Sequence, residues 1–176
     1  MGLRPHNLRI KMTKYYNKEE IPDQKHFLNE TSEQMLEEIQ PSLANIVRRA
    51  VAISDIEIQV THGMRTLTQQ HEFFRKGISI GNQSPHMYGY AVDLVPIVEG
   101  RLSFEPEIFD DVAYCMLFAA RDLNTAIRWG GAWHCDNLAN FTGVLGDLQI
   151  EYIDTMRLGN KRPRIDVQHF ELSVAE

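Results

Sequence analysis

Apolar residues recur at the spacing of an α-helix in several stretches of the chain. The clearest is Glu105–Leu123, whose apolar residues share one side and whose first turns are acidic. Behind Pro41, apolar residues repeat every three to four positions and predict a helix that begins at this proline. Thr31–Gln34 predicts a capping box with Thr31 as the N-cap, Thr66–Gly77 predicts a short helix that ends on glycine, and Asp147–Leu158 predicts a further helix.

Four shorter stretches have the pattern of β-strands. Ile56–Val60 alternates apolar and polar residues, and Tyr90–Pro96 is an apolar run with one acid, Asp93, embedded in it. Ala126–Trp129 and Val167–Leu172 predict two more strands. Because helices and strands are mixed without a regular βαβ alternation, the chain is predicted to have an α+β fold.

The composition is that of a globular domain without a membrane span. The chain has 176 residues, of which 43% are hydrophobic and 24% charged, and its apolar runs are too short to cross a bilayer. A net charge of −6 argues against a nucleic-acid-binding surface. Two cysteines are too few to staple the fold, which favours a reducing compartment. We expect a monomer with no membrane insertion and no nucleic-acid partner.

The beginning of the chain differs from the rest in charge. Residues 1–18 have no acid and five basic side chains: Arg4, Arg9, Lys11, Lys14 and Lys18. They lack the apolar core of a secretory signal peptide. We expect residues 1–30 to form a basic, partly ordered leader and residues 31–176 to form a single folded domain.

Two clusters of polar residues are candidates for chemistry. An unpaired carboxylate at Asp93 would cost several kcal/mol inside its apolar strand, so it needs a hydrogen bond, an ion pair or a metal ion. His86 lies seven residues before it, and Gly89 permits a turn that brings the imidazole back beside the acid. With His169 from another predicted strand, two imidazoles and one carboxylate suit Zn²⁺ and leave a position for water, for which Asp166 is a candidate general base. A structural Asp–His pair would explain one cluster but hardly both.

These residues also resemble the motifs of a known group of zinc peptidases. Ser84–Asp93 matches the motif S-x-H-x-x-G-x-A-x-D of the LAS zinc peptidases at every fixed position, and Asp166-x-x-His169 resembles their second motif. That group includes lysostaphin-type enzymes, D-Ala-D-Ala metallopeptidases and the hedgehog signalling domain. The chain looks most like bacteriophage endolysins that act as L-alanyl-D-glutamate peptidases, because Thr61–Gln70 and Trp129–Trp133 resemble two further segments of those enzymes. The resemblance, from about residue 33 to 172, implies a small antiparallel β-sheet packed with helices and a zinc site on the sheet.

The resemblance implies a role for each matching residue. His86, Asp93 and His169 would be the Zn²⁺ ligands and Asp166 the catalytic base. Arg65 would orient the substrate or stabilise charge. Residues 31–176 would then form one zinc peptidase catalytic domain.

Three further residues are candidates for substrate binding or for contacts behind the ligands: Ser84, Trp133 and Glu171. Ser84 either hydrogen-bonds near the metal or shapes the turn before Pro85. Trp133 either lines the groove or belongs to the core. Glu171 either orients a ligand histidine or faces solvent.

The predicted function is that of a zinc-dependent peptidoglycan hydrolase, cleaving the L-Ala–D-Glu bond of stem peptides with metal-activated water. One alternative is a D-Ala-D-Ala carboxypeptidase or dipeptidase of the same group, which needs a cationic pocket from Arg65, Arg101 or Arg128. Another is a non-catalytic, zinc-stabilised binding domain, which has no use for Asp166.

The expected localisation follows from the missing signal peptide. We expect synthesis in the host cytoplasm and action on the cell wall, in the periplasm, after holin-type release, without an attached wall-binding module. The segment 134–164 is longer than the resemblance requires and is expected to form a wall of the cleft. Asp136, Asn137 and Asn140 do not make an acid-rich loop, so no calcium site is predicted.

Overall fold

The computed structural model describes residues 24–173. This part of the chain contains five α-helices and five β-strands. In chain order they are α1 (Glu30–Glu37), α2 (Pro41–Ile53), β1 (Glu57–His62), α3 (Leu67–Arg75), β2 (Ala91–Val98), β3 (Arg101–Leu102), α4 (Pro106–Asp122), β4 (Ile127–Trp129), α5 (Leu145–Leu158) and β5 (His169–Leu172). Two short 3₁₀ helices, Pro85–Tyr88 and Leu138–Asn140, lie in the connections. Each predicted helix and strand is present with ends shifted by a few residues, so the α+β class is confirmed.

The start of α1 differs from the prediction. Asn29, not Thr31, is the N-cap, and its side chain accepts a hydrogen bond from the Ser32 backbone N–H. Ser32 is buried, and its hydroxyl accepts a hydrogen bond from the Val60 N–H of β1 at 3.1 Å. With Asn29 as the N-cap, the helix begins at Glu30 and not behind Thr31.

Helices α2 and α4 pack against each other and form the helical layer. Pro41 occupies the first turn of α2, as predicted, and the apolar face of α2 is buried from Leu43 to Ile53. An ion pair joins the two helices at their solvent side, where Arg49 donates to Asp122 at 2.6 Å. The apolar faces of these two helices therefore meet in one core.

The sheet is small and antiparallel throughout, as the resemblance implied. Its strand order is β1-β2-β5-β4, with β3 paired to β2. In the register, Asp93 of β2 lies opposite His62 of β1 on one side and opposite His169 of β5 on the other. Three polar residues from three strands therefore form one row across the sheet.

The two faces of the sheet have different roles. Val92, Leu94, Phe170 and Trp129 belong to the buried core, whereas alternate residues of the same strands point to the opposite face, since side chains alternate along a strand. A register shift between Val60 and His62 interrupts the alternation of β1 and turns His62 toward that opposite face. The polar row therefore lies on the face away from the helical layer.

Two expectations concern the ends of the chain and membranes. Residues 1–23, most of the expected basic leader, lie outside the described residues, so the leader and the 1–30/31–176 division stay predictions. Within residues 24–173, no helix is both long enough and apolar enough to cross a bilayer.

Candidate metal centre and cleft

Three predicted ligands, His86, Asp93 and His169, meet on the open face of the sheet, and all three are buried. Asp93 and His169 are cross-strand neighbours of β2 and β5. His86 comes from the 3₁₀ helix Pro85–Tyr88, which leads into β2 through Gly89. Gly89 has a φ of +70°, and a Cβ there would lie 3.1 Å from the Ile39 Cα, so glycine is required at this turn.

The outer nitrogens of both histidines are occupied, which leaves their inner nitrogens facing one another. His86 Nδ1 donates to the Gly63 carbonyl at 2.9 Å, and His169 Nε2 donates to Glu171 Oε2 at 3.0 Å. His86 Nε2 and His169 Nδ1 then lie 3.2 Å apart, and they lie 3.3 and 3.1 Å from Asp93 Oδ1. Three ligand atoms thus form a nearly equilateral triangle.

The triangle fits a tetrahedral metal ion. Ligands about 2.0 Å from a tetrahedral zinc ion stand about 3.3 Å apart, which matches all three edges. Two imidazole nitrogens and a carboxylate oxygen are also a donor set that divalent zinc accepts. These residues can therefore hold a metal ion while leaving a coordination position toward the cleft.

The surroundings of Asp93 and His169 favour the charged form of both side chains. Burial raises the pKa of Asp93, but hydrogen bonds from His169, His62 and His86 outweigh it and hold the pKa well below its usual range. Burial lowers the pKa of His169, but hydrogen bonds with Asp93 and Glu171 outweigh it and raise the pKa to about 9. A metal ion bound at His169 Nδ1 would replace the proton held there.

A second layer of contacts surrounds the ligands. Glu171 is buried; its Oε1 accepts a hydrogen bond from Arg128 Nη1 at 3.2 Å while its Oε2 holds His169. His62 Nδ1 lies 3.4 Å from Asp93 Oδ2, the carboxylate oxygen that faces away from the triangle. Of the two readings of Glu171, the structure agrees with a contact to the ligand histidine and not with a solvent-facing position.

The centre opens into a cleft of about 660 Å³ lined by both remaining catalytic candidates, Asp166 and Arg65. Burial and the charge of Asp93 raise the pKa of Asp166, while His169 and Arg164 lower it. Burial lowers the pKa of Arg65, against the opposing charges of Asp93 and Asp166. A basic carboxylate and a cationic side chain therefore flank the metal centre.

Gln70 fixes the position of Arg65. The buried Gln70 side chain accepts a hydrogen bond from Arg65 Nη1 at 2.9 Å and donates to Ser79 Oγ and to the Gly81 carbonyl. The Arg65 guanidinium also stacks 4.6 Å from the centre of the Phe73 ring. One glutamine thus ties the arginine to the loop that forms one rim of the cleft.

Ser84 and Trp133 also line the cleft. The Ser84 hydroxyl accepts from the His86 N–H at 3.4 Å and caps the 3₁₀ helix, so it shapes the turn before Pro85. The Trp133 ring is half-buried and lies 5.3 Å from the His169 ring, whereas Trp129 is in the core.

The segment 134–164 forms a wall of the cleft, as predicted, through Tyr152 and Arg164. Arg101 lies on the exposed strand β3 and is not among the residues that line the cleft. Sequence reasoning missed Gln70, His62, Tyr152 and Arg164. The alternation of β1 would place His62 on the core face without the bulge, so no local signal identified it.

Fold and site together define a class: an α+β protein whose antiparallel sheet presents to a cleft a His–Asp–His cluster that can hold a metal ion. A family model described as phage L-alanyl-D-glutamate peptidase matches residues 25–152. The chain belongs to this family of peptidases, and the resemblance stated from the motifs is confirmed. The matched range includes His86 and Asp93 and ends before Asp166 and His169, which the structure brings to the same cleft.

Two individual proteins support the assignment. An L-alanyl-D-glutamate peptidase of Escherichia phage T5 is 28% identical over 107 residues, which are 58% of this chain and 78% of that protein. The crystal structure of the Serratia marcescens L-Ala D-Glu endopeptidase ChiX is similar with a TM-score of 0.60 and 25% identity, covering 85% of this chain and 91% of that one.

Proposed function

We propose that this protein is a zinc-dependent peptidoglycan hydrolase that cleaves the L-Ala–D-Glu bond of stem peptides. The observation that carries the proposal is the triangle of His86, Asp93 and His169 beside Asp166 in one cleft. The family and both relatives described above bear the L-Ala–D-Glu name, which favours this bond over the D-Ala–D-Ala alternative. The presence of Asp166 at the cleft favours an enzyme over a binding domain.

The roles of the chain's residues follow from their chemistry. A bound zinc ion supplies a Lewis acid for the scissile carbonyl and lowers the pKa of water. Asp166 accepts a proton from the attacking water and delivers it to the leaving amine; its raised pKa brings it closer to the operating pH, which suits both transfers. The Arg65 guanidinium, held by Gln70, stabilises the negative charge that develops on the carbonyl oxygen.

The proposed setting is the bacterial cell wall. We propose synthesis in an infected host, which the phage source of one relative favours, followed by release to the wall through a holin-type pore. We propose that the protein acts as a monomer, with the peptidoglycan stem peptide as its partner.

Digestion of purified peptidoglycan, with new termini identified by mass spectrometry, tests this function. Zinc-loaded protein is expected to generate N-terminal D-Glu, whereas released D-Ala would indicate the carboxypeptidase instead. Asp166→Ala is expected to lose at least about 100-fold in kcat while still binding zinc. His86→Ala is expected to lose both zinc and activity. Absence of cleavage by the zinc-loaded protein, or near-full activity of Asp166→Ala, would contradict the proposal.

A further inference from the structure

Three residues that line the cleft each have a buried N–H donor without an acceptor. Among the described residues, the buried side-chain nitrogen and oxygen atoms without a hydrogen-bond partner are Arg128 Nε, Trp133 Nε1 and Arg164 Nη1. All three belong to residues that line the cleft beside the metal centre. The unpartnered donors therefore belong to residues of the cleft and not of the hydrophobic core.

Such donors are costly unless something binds them. Leaving a buried donor unpaired costs about 1–3 kcal/mol, and more when the group is charged. Native proteins retain few of them, and each one needs an explanation, such as a catalytic role or a water or ion that binds there. Two of the three are guanidinium groups, so the cleft offers charge together with hydrogen bonds.

The neighbours of these side chains hold them in place without using the three donors. Arg128 Nη1 donates to Glu171, and Arg128 Nη2 donates to the Trp133 carbonyl. Arg128 Nε lies 3.9 Å from Asp136 Oδ1, which is beyond hydrogen-bond distance. The guanidinium of Arg128 also lies 5.6 Å from the Trp133 ring centre. Arg164 is close enough to Asp166 to lower the pKa of that carboxyl.

Other residues that line the cleft are apolar. Phe73, Ile78 and Ile80 line it, and Ile78 and Ile80 are exposed. The lining of the cleft thus combines exposed apolar side chains with cationic and indole donors, and the carboxylates Asp166 and Glu171 belong to it as well. A ligand that pairs with the three unused donors needs hydrogen-bond acceptors, and an anionic acceptor pairs most strongly with the two guanidinium groups.

We propose that Arg128, Trp133 and Arg164 form a carboxylate-binding wall that recognises the free carboxylate of the glutamyl residue on the leaving side of the scissile bond. This assignment rests on the proposed function. A glutamate that continues the chain through one carboxyl group keeps the other as a free carboxylate. A carboxylate accepts about four hydrogen bonds and pairs strongly with guanidinium, whereas a carboxamide brings no charge and presents donors of its own. The wall therefore selects glutamate over its amidated form.

Paired substrates test the selection. The substrates are acetyl-L-Ala-D-Glu with a methylamide on the side-chain carboxyl and an identical peptide whose main-chain carboxyl is a carboxamide. The wild-type protein is expected to show a kcat/KM about 10- to 100-fold higher for the free acid, the factor that loss of a charged hydrogen bond produces. In Arg164→Gln the ratio is expected to fall toward one.

Arg162→Gln is the matched control because it removes the same charge two residues away from an exposed side chain outside the cleft. It is expected to keep the wild-type ratio. Using the ratio cancels any change that the loss of Arg164 causes in Asp166, since both substrates feel that change equally. Equal rates on the two substrates for the wild-type protein would overturn the carboxylate wall while leaving the proposed peptidase function intact.

A binding measurement tests the wall without catalysis. Trp129 Nε1 already donates to the Val167 carbonyl at 2.9 Å, so its indole N–H signal is an internal reference for Trp133. With the zinc-loaded protein, D-Glu carrying a side-chain methylamide is expected to move the Trp133 indole signal in an ¹⁵N–¹H NMR spectrum and to leave that of Trp129 in place. Trp133→Phe assigns the two signals. The carboxylate wall would be overturned if the Trp133 signal did not move, or if it moved equally with the carboxamide form of the ligand. This outcome does not depend on whether the protein cleaves peptidoglycan.

Discussion

The Glu171 carboxylate serves two donors at once, and its negative charge suits both. Oε2 holds His169 Nε2 and Oε1 holds Arg128 Nη1. A neutral amide of the same shape would satisfy one donor with its oxygen and oppose the other with its NH₂ group. The orientation of the ligand histidine therefore depends on the charge of Glu171 and not only on its size.

We expect Glu171→Gln to bind zinc about 10- to 100-fold more weakly while keeping the fold, because contacts behind a metal ligand typically contribute that factor. Competition with a chromophoric chelator measures the affinity, and far-UV circular dichroism checks the fold. Glu57→Gln, an exposed acid on β1 of the same sheet, is the control and should bind zinc like the wild-type protein. Unchanged affinity in Glu171→Gln would show that the His169 ring is held by other contacts.

The turn that carries Asp166 is locked to the end of β4 by two backbone hydrogen bonds. The Gly130 N–H donates to the His169 carbonyl, and the Asp166 N–H donates to the Gly130 carbonyl, both at 2.9 Å. A Cβ at Gly130 would overlap the Asp166 carbonyl oxygen and approach the Trp133 ring to 3.0 Å. Glycine is thus needed where β4 meets the turn that carries Asp166.

We expect Gly130→Ala to lower the free energy of unfolding by about 1–3 kcal/mol, the usual cost of overpacking. By displacing Asp166 it should also reduce kcat about 100-fold. Urea denaturation and turnover of peptidoglycan fragments measure the two effects. Gly146→Ala in α5 is the matched control: no atom lies within 4 Å of its added Cβ, so it should be as stable as wild type or up to about 1 kcal/mol more stable, with normal kcat. Equal behaviour of the two variants would refute the locked turn.

Local patterns were sufficient to predict the five α-helices and four of the five strands within the described residues; the two-residue strand β3 was not predicted. The apolar periodicity of α2 and α4 reports burial of one face, and that burial is what the structure contains. The start of α1 was wrong because Asn29 and Thr31 are both good N-caps by local criteria. In the structure Asn29 caps the helix by accepting from the Ser32 N–H, and local criteria do not distinguish it from Thr31.

Candidate site residues divide in the same way. His86 and Asp93 share one short motif, and His169 and Asp166 share another, so spacing alone was enough to nominate them. The roles of Arg164 and Gln70 depend on neighbours that spacing does not reveal. Arg164 lines the cleft, and Gln70 donates to Ser79, nine residues further along the chain. Residues that act through tertiary contacts are therefore the ones that sequence reasoning missed.

A metal ion at this site would join three parts of the fold that are separate in the chain. His86 lies on the 3₁₀ helix before β2, Asp93 lies in β2, and His169 lies in β5. Without the ion, the carboxylate of Asp93 is still compensated by its hydrogen bonds to the histidines, so the protein should remain folded. Metal binding should then add stability to an already formed site instead of creating the fold.

We expect zinc removal by a chelator to lower Tm on the order of 10 °C. Zinc at about 1,000 times its Kd adds about 4 kcal/mol to the native state, and each kcal/mol shifts Tm by about 2–4 °C in a domain of this size. Thermal denaturation with chelator, and again after zinc is restored, measures the shift. In His86→Ala the two curves should coincide, because the triangle of ligands is broken. If the wild-type Tm were also the same with and without zinc, these three residues would not hold the ion in the native state.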